Sequence, residues 1–172
     1  MSEPAFRLEP WGPDDEPLLQ RLLGDPAMME HLGGPESPET IASRHEKYVH
    51  LPETGTGAMF KIVEVASGES VGSVGYWDRD EREGDVYETG WSVLREFQGR
   101  GIATIATAQL IELLQAAHKR QYLYAYPSVD NAPSNAICRK LGFEVVGVTE
   151  YEYPIDSGNI MRCNDWRLEL FS

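Results

Sequence analysis

Apolar and polar positions divide this chain into short alternating stretches and longer stretches with helical spacing. "FRLEPW" (6–11) alternates and predicts a strand. "PDDEPLLQRLLGD" opens on prolines and acids, spaces its leucines as a helix does and closes on Gly24, so a helix is expected. Ser37 to Tyr48 predicts a second helix. "MFKIVEVASGESVGSVGYW" alternates on both sides of a Ser67-Gly68 turn, as a hairpin does. "DRDEREGD" reads as a charged loop and "VYETGWSV" as a further strand. The next stretch predicts a helix whose apolar residues include Ile102, Ile105, Ala106, Leu110, Leu113 and Leu114. "YLYAYP" is short and rich in β-formers. "DNAPSNAICRKLGF" begins with capping residues and an early proline and ends at Gly142, which predicts a compact helix. "EVVGVTEYEY" and "DWRLELF" predict two closing strands. No repeat, low-complexity tract or linker interrupts this order. Residues 1–172 are therefore expected to form one mixed α/β (α+β) domain, a largely antiparallel sheet of about seven strands flanked by about four helices.

Composition narrows the setting. A chain of 172 residues, 41% hydrophobic and 25% charged, has an ordinary globular balance and room for a core. "MSEPAFRLEP" has no basic n-region and no apolar h-region, and no apolar run approaches the length of a membrane span. Cys138 and Cys163 lack metal or redox spacing, so a reducing cytoplasm is the expected compartment, with no membrane partner. A net charge of −13 argues against nucleic acid. That charge is unevenly placed: Trp91 to Phe143 carries six basic and three acidic residues, +3, which leaves −16 for the remainder. The only basic part of an acidic protein suits an anionic ligand there. The acidic remainder suits a cationic ligand elsewhere, or serves solubility alone.

Inside the basic part, Gln98-Gly99-Arg100-Gly101-Ile102-Ala103 places two glycines where an apolar helical pattern begins. Glycines at a helix start expose backbone N–H groups, and with the positive end of the helix dipole they make an anion site; the alternative is a plain flexible turn. A P-loop would need a lysine that is absent here. The dinucleotide fingerprint would need a third glycine where Thr104 stands, and an acid after the next strand, where the chain reads "KRQYLY".

Gln-Gly-x-Gly-Ile-Ala between a strand and a helix resembles the acetyl-CoA signature of the GNAT superfamily of N-acetyltransferases. "NAPSNAICRKLGFE" resembles that family's Asn-x-x-Ser…Lys-x-Gly-Phe element, and "YETGWSV" the Glu-x-Gly-Tyr/Trp strand of the branch that acetylates ribosomal-protein N-termini. The three motifs stand in the family's order, and the resemblance spans residues 5–171. It implies the GNAT fold, acetyl-CoA as cosubstrate, no metal, and a primary amine as acceptor, on a protein N-terminus or a small molecule. A homodimer through the closing strands is compatible with it.

The resemblance also implies roles. Backbone N–H groups of Gly99, Arg100, Gly101, Ile102, Ala103 and Thr104 would hold the CoA pyrophosphate, with Gln98 in the same motif and Arg95 and Arg100 adding charge, unless those two side chains are simply solvated. The strands carrying Trp91, Ser92 and Val93 and "YLYAYP" would splay apart, and the pantetheine arm would bond the open edge. The N–H of Val93 would polarise the thioester carbonyl. Asn131 would bond the same arm, or act as a plain N-cap. Glu88 would accept the amine's proton, or only position the ammonium. Many family members place a tyrosine where Cys138 stands; in the resembling branch a serine protonates the thiolate, and Ser134 occupies its place, unless it is only a first-turn helix residue. A non-catalytic acetyl-CoA-binding regulatory module, and transfer to a hydroxyl or of a longer acyl group, are the competing functions. His31, His45, His50 and His118 are expected on the surface, Cys138 in the core, and Tyr122, Tyr124 and Tyr126 on one packed face of a strand.

Overall fold

In a computed structural model, which describes residues 4–30, 32–81, 84–152 and 156–172, the alternating stretches become strands. They are β1 (Phe6–Pro10), β2 (Gly57–Glu64), β3 (Ser70–Glu81), β4 (Gly84–Val93), β5 (Tyr122–Ala125), β6 (Glu144–Glu152) and β7 (Ile160–Glu169). The helices are α1 (Glu16–Leu23), α2 (Pro38–Thr54), α3 (Ile102–Ala117) and α4 (Ala132–Lys140). One sheet runs in the order β1-β2-β3-β4-β5-β7-β6. Every neighbouring pair is antiparallel except β4 and β5. His31, whose position the sequence put on the surface, lies outside the described residues.

Each face of the sheet buries its own cluster. On one, α3 lays Ile102, Ala106, Leu110, Ile111 and Leu114 against Val74, Tyr87, Val93 and Leu123. On the other, Leu18, Leu19 and Leu22 of α1 and Ile41 of α2 close over Trp11 and Met59. A fully buried side chain of this size contributes about 1.5–3 kcal/mol through removal from water. Two apolar residues of α3 turn outward: Ile105 is 38% exposed and Leu113 50%. The buried stripe instead takes in Thr107 and Ile111, because the helix meets the sheet along 102-106-110-114 and its 107-111 flank.

Three boundaries differ from the sequence reading. "DRDEREGD" is largely strand: β3 runs to Glu81, β4 begins at Gly84, and Asp78↔Tyr87 and Arg79↔Val86 pair across them, with residues 82 and 83 outside the described set. Arg120 supplies the compensating charge by bonding Asp78 at 2.9 Å and pairing with Asp85 at 3.4 Å. Helix α2 continues past Tyr48 and through Pro52 to Thr54, because Val49 and Leu51 pack on the Trp11 cluster; Gly55, at φ +72°, ends it. Strand β7 begins at Ile160, five residues before "DWRLELF", because it pairs along the whole of β6. Ser37 caps α2 as its sequence suggests, its Oγ accepting from the Thr40 N–H at 3.2 Å.

Two buried polar groups stand out. The ring of His45, 6% exposed, is not on the surface: its Nδ1 accepts from Trp11 Nε1 at 3.0 Å, which leaves Nε2 to donate to the Pro13 carbonyl at 3.1 Å. The Thr107 hydroxyl is fully buried with no hydrogen-bond partner among the described residues. An unpaired buried hydroxyl is destabilising, so Thr107→Val is expected to raise stability by about 1 kcal/mol. That is about 3 °C in melting temperature for a domain of this size, to be read by thermal denaturation.

Candidate active site

The single parallel junction makes the opening. Strands β4 and β5 pair only at Tyr87↔Leu123 and Glu88↔Tyr124. Beyond Ala125 the chain turns to β7 instead. Pro127 has no N–H to give β4, its carbonyl accepts from the Asn164 N–H at 3.0 Å, and the Val129 N–H donates to the Arg162 carbonyl at 2.9 Å. The stretch from Thr89 to Val93 thus loses its β5 partner. The Leu94 N–H donates to Val71 of β3 at 2.9 Å. Strand alternation then turns the N–H groups of Val93 and Trp91 toward the open side, while that of Ser92 faces β3. Gln98 supports this edge from the same side, its Nε2 donating to the Val93 carbonyl at 2.9 Å. Gly90 has no side chain because the Trp77 indole crosses it; a Cβ there would sit 3.2 Å from Trp77 Cη2.

Beside that edge lies the glycine-rich turn that starts α3. Gly99 and Gly101 adopt φ of +81° and +75°, and Gly101 is the N-cap of α3. These are left-handed conformations that glycine takes without a Cβ penalty. No N–H from Gly99 to Thr104 makes a well-aligned hydrogen bond within the described residues; the helical ladder begins with the Ile105 N–H on the Gly101 carbonyl at 3.1 Å. Nothing lies within 4 Å of where a Cβ would stand on either glycine. A run of unpaired donors at the positive end of a 16-residue helix, with open space before it, fits a phosphate or pyrophosphate.

The flanking arginines are already engaged. Arg100 bonds Glu64 at 2.8 Å and lies over Phe6 and Phe97, and Arg95 pairs with Asp25 at 3.3 Å. Hydrogen bonds from Ser67 and then Arg100 hold the Glu64 carboxyl below its usual value. The backbone donors, not these side chains, are therefore the charge the turn presents without rearrangement.

Helix α4 starts at the same end of the parallel pair. Asn131 is its N-cap, with Oδ1 accepting from the Ser134 N–H at 3.3 Å. The Ser134 hydroxyl, half-buried, makes no hydrogen bond to a described residue. Between the helix and β7 lies Asn135, which the sequence reading passed over. Its Nδ2 donates to the carbonyls of Ser128 (2.9 Å) and Asn131 (2.8 Å), and its Oδ1 accepts from Asn164 Nδ2 (2.9 Å) and Trp166 Nε1 (2.8 Å). Every donor and lone pair of that amide is used. Its signal in the sequence was position: it stands three residues before the buried Cys138, on the inward face of a short helix. Burial pushes the Cys138 thiol up to about 12, and Cys163 up to about 11 with help from Asp165 and Glu88, so both are thiols at neutral pH.

On the opposite face of the sheet from α3, Glu88 is ion-paired with Arg79. The two are diagonal neighbours, since Glu88 stands opposite Trp77, two residues from Arg79. The Arg79 guanidinium lies 4.4 Å from the centre of the Tyr126 ring and 5.3 Å from that of Tyr151, and donates to the Tyr151 hydroxyl at 3.2 Å. Burial works against the Arg79 charge, but the Glu88 carboxylate raises its proton affinity above the usual value. Of the three tyrosines expected to pack together, Tyr124 is buried, Tyr122 lies under Arg167, and Tyr126 belongs to this cluster. Arg79 and Tyr151 fell in stretches read as a loop and a closing strand. The alternation that puts Arg79 beside Glu88 becomes visible only once the hairpin register is known.

The chain folds like RimL, a ribosomal-protein α-N-acetyltransferase solved in complex with coenzyme A, at a TM-score of 0.81, with 21% identity over 97% of this chain and 95% of that one. An acetyltransferase from Salmonella typhimurium that modifies the N-terminal serine of a ribosomal protein superposes equally, at 0.81 with 20% identity over 97% and 96% of the two chains. Spermidine N-acetyltransferase from Vibrio cholerae, in complex with CoA and spermine, gives 0.78 with 16% identity over 96% of each. No curated protein matches this sequence. The acetyltransferase (GNAT) domain family matches residues 6–144, and the chain belongs to it.

Proposed function

We propose that this N-acetyltransferase moves an acetyl group from acetyl-CoA to a primary amine by direct attack in a ternary complex. The observation that carries the reading is the run of unpaired N–H donors from Gly99 to Thr104, standing beside a β4 edge that β5 has released. Acetyl-CoA would supply an activated acetyl thioester and a pyrophosphate. The donors from Gly99 to Thr104 would hold the pyrophosphate, and the edge at Trp91, Ser92 and Val93 would take the amide-bearing arm as an added strand. The Val93 N–H, turned to the open side, is the candidate donor for carbonyl oxygen. Asn131 is already the helix cap through one lone pair of its Oδ1, so its Nδ2 and the second lone pair remain to bond the arm. Ser134 offers a hydroxyl with no partner among the described residues at the helix start, suited to donate to a departing sulfur. The acceptor would be a protein N-terminus or a small-molecule amine, met on the Glu88 side of the sheet. Residues 1–172 would act as a single domain.

Acetyl-CoA at a hundred times its dissociation constant is expected to stabilise the fold by about 2.7 kcal/mol. A melting temperature unmoved by millimolar acetyl-CoA would refute the reading. A panel of amines followed by thiol release then separates an enzyme from an acetyl-CoA sensor, because turnover on any amine excludes the sensor. Ser134→Ala is expected to bind acetyl-CoA as the native protein does while turnover falls by about 10²–10⁴-fold. Native turnover in that variant would make Ser134 a helix residue and nothing more.

A further inference from the structure

Glu88 is expected either to take the amine's proton or to hold the amine, and its surroundings favour one of the two. The titratable and charged groups on its face of the sheet among the described residues are Arg79 from β3, Tyr124 from β5, Tyr126 just beyond that strand, Tyr151 from β6, and Cys163, Asp165 and Arg167 from β7. Of the two cations in that set, Arg79 is the one ion-paired with Glu88, while the Arg167 guanidinium lies over the Tyr122 ring. Arg79 is fixed by strand pairing at its backbone, by two aromatic rings over its guanidinium and by the Tyr151 hydroxyl, with 30% of its side chain exposed against 18% for Glu88.

We propose that Arg79 is a positioning residue for the acceptor amine: held between Tyr126 and Tyr151, it keeps the Glu88 carboxylate a permanent anion that orients the amine nitrogen and does not take its proton. A base must become neutral in the step it catalyses, and a guanidinium in contact with it opposes that change. The proton leaving nitrogen goes to water, the N–H bond breaking as a water O–H bond forms, while Glu88 stays ionised throughout. The acid limb of activity then belongs to the acceptor and not to the enzyme. This inference rests on the acetyl-transfer reading for the identity of the amine, but the state of the carboxylate can be measured without it.

The test follows the Glu88 carboxyl resonance by carbon-13 NMR across pH, assigned with Glu88→Gln, in the native protein and in Arg79→Gln and Arg79→Lys. In Arg79→Gln the resonance is expected to titrate at higher pH than in the native protein, and Arg79→Lys to return it toward the native position. If Arg79→Gln does not fold, Tyr151→Phe, which removes one hydroxyl, is expected to move the resonance the same way by less. An unmoved resonance in a folded variant overturns the proposal. In kinetics, Arg79→Gln is expected to lower kcat/KM for a peptide with a free α-amine by about 10²-fold, with partial recovery in Arg79→Lys. The native acid limb should move upward when that α-amine, with a pKa of about 8, is replaced by a lysine ε-amine of about 10. The same limb for both amines would mean that an enzyme group titrates, and would also overturn the proposal. Melting temperature with acetyl-CoA, read on the same samples, tests the acetyl-transfer reading separately: its failure leaves the carboxylate titration standing.

Discussion

Asn135→Leu is expected to destabilise the protein by about 3–5 kcal/mol and to lower its melting temperature by about 10 °C. The substitution keeps the number and branching of side-chain heavy atoms and favours the helix, so a loss of stability reads the lost hydrogen bonds together with the fit of the two bulkier methyls. Four partners lose Asn135 at once: the Ser128 and Asn131 carbonyls, Asn164 Nδ2 and Trp166 Nε1. Water can reach some of these groups. It cannot readily reach the Trp166 indole, which is 5% exposed, and Asn135 itself is only 7% exposed. A buried donor or acceptor left without a partner costs about 1–3 kcal/mol, and at least two such groups remain. The same amide ties the 128–131 turn to β7 and so fixes where Asn131 and Ser134 stand. The variant is therefore expected to lose turnover beyond what its stability implies, measured at a temperature where both proteins are folded. A melting temperature within 2–3 °C of native would show that the network is satisfied by water, and that Asn135 is dispensable.

The sequence exposes local chemistry more readily than long-range company. Gly99, Gly101 and Gly68 are legible because a left-handed backbone favours glycine, and Ser37 and Asn131 because a helix start needs a side-chain acceptor. Seven strands and four helices follow from such signals and from periodicity, and their order is the one observed. What escaped was decided by partners distant in the chain. "DRDEREGD" carries too much like charge to read as strand, until Arg120 arrives 42 residues later to bond Asp78. His45 looks like an exposed helix residue, but Trp11 and Pro13, from more than 30 residues earlier, occupy both its nitrogens. Arg100 stands between two glycines, where its side chain would add charge or be solvated, yet Glu64 holds it from β2. Glu88 was identified by its motif alone, and its pairing with Arg79 came from a hairpin register that no local pattern specifies.

Gly101→Val is expected to weaken acetyl-CoA binding by at least about 100-fold, well beyond its effect on folding. Geometry assigns two causes. The native φ of +75° is hostile to a β-branched side chain, and holding a non-glycine residue there costs about 1–2 kcal/mol or more. The new side chain would also fill the open space in front of the Gly99–Thr104 donors, which a bound pyrophosphate would need. If the backbone relaxes to a negative φ to relieve strain, the donors no longer converge, so relaxation does not restore the site. Stability alone should fall only modestly, because no atom lies within 4 Å of the added Cβ and the helix keeps its first bond, from Ile105 to the Gly101 carbonyl. Gly101→Asn separates the two causes. Asparagine tolerates the left-handed conformation better than other non-glycine residues, so its folding cost should be smaller while its side chain still stands before the donors. Calorimetric titration of acetyl-CoA into both variants, alongside thermal denaturation, decides the matter. Weak binding in both, with near-native stability in the asparagine variant, marks the glycine as a ligand-approach position. Native affinity in the asparagine variant would reduce Gly99-Arg100-Gly101 to a turn that starts a helix, and the pyrophosphate would have to be held elsewhere.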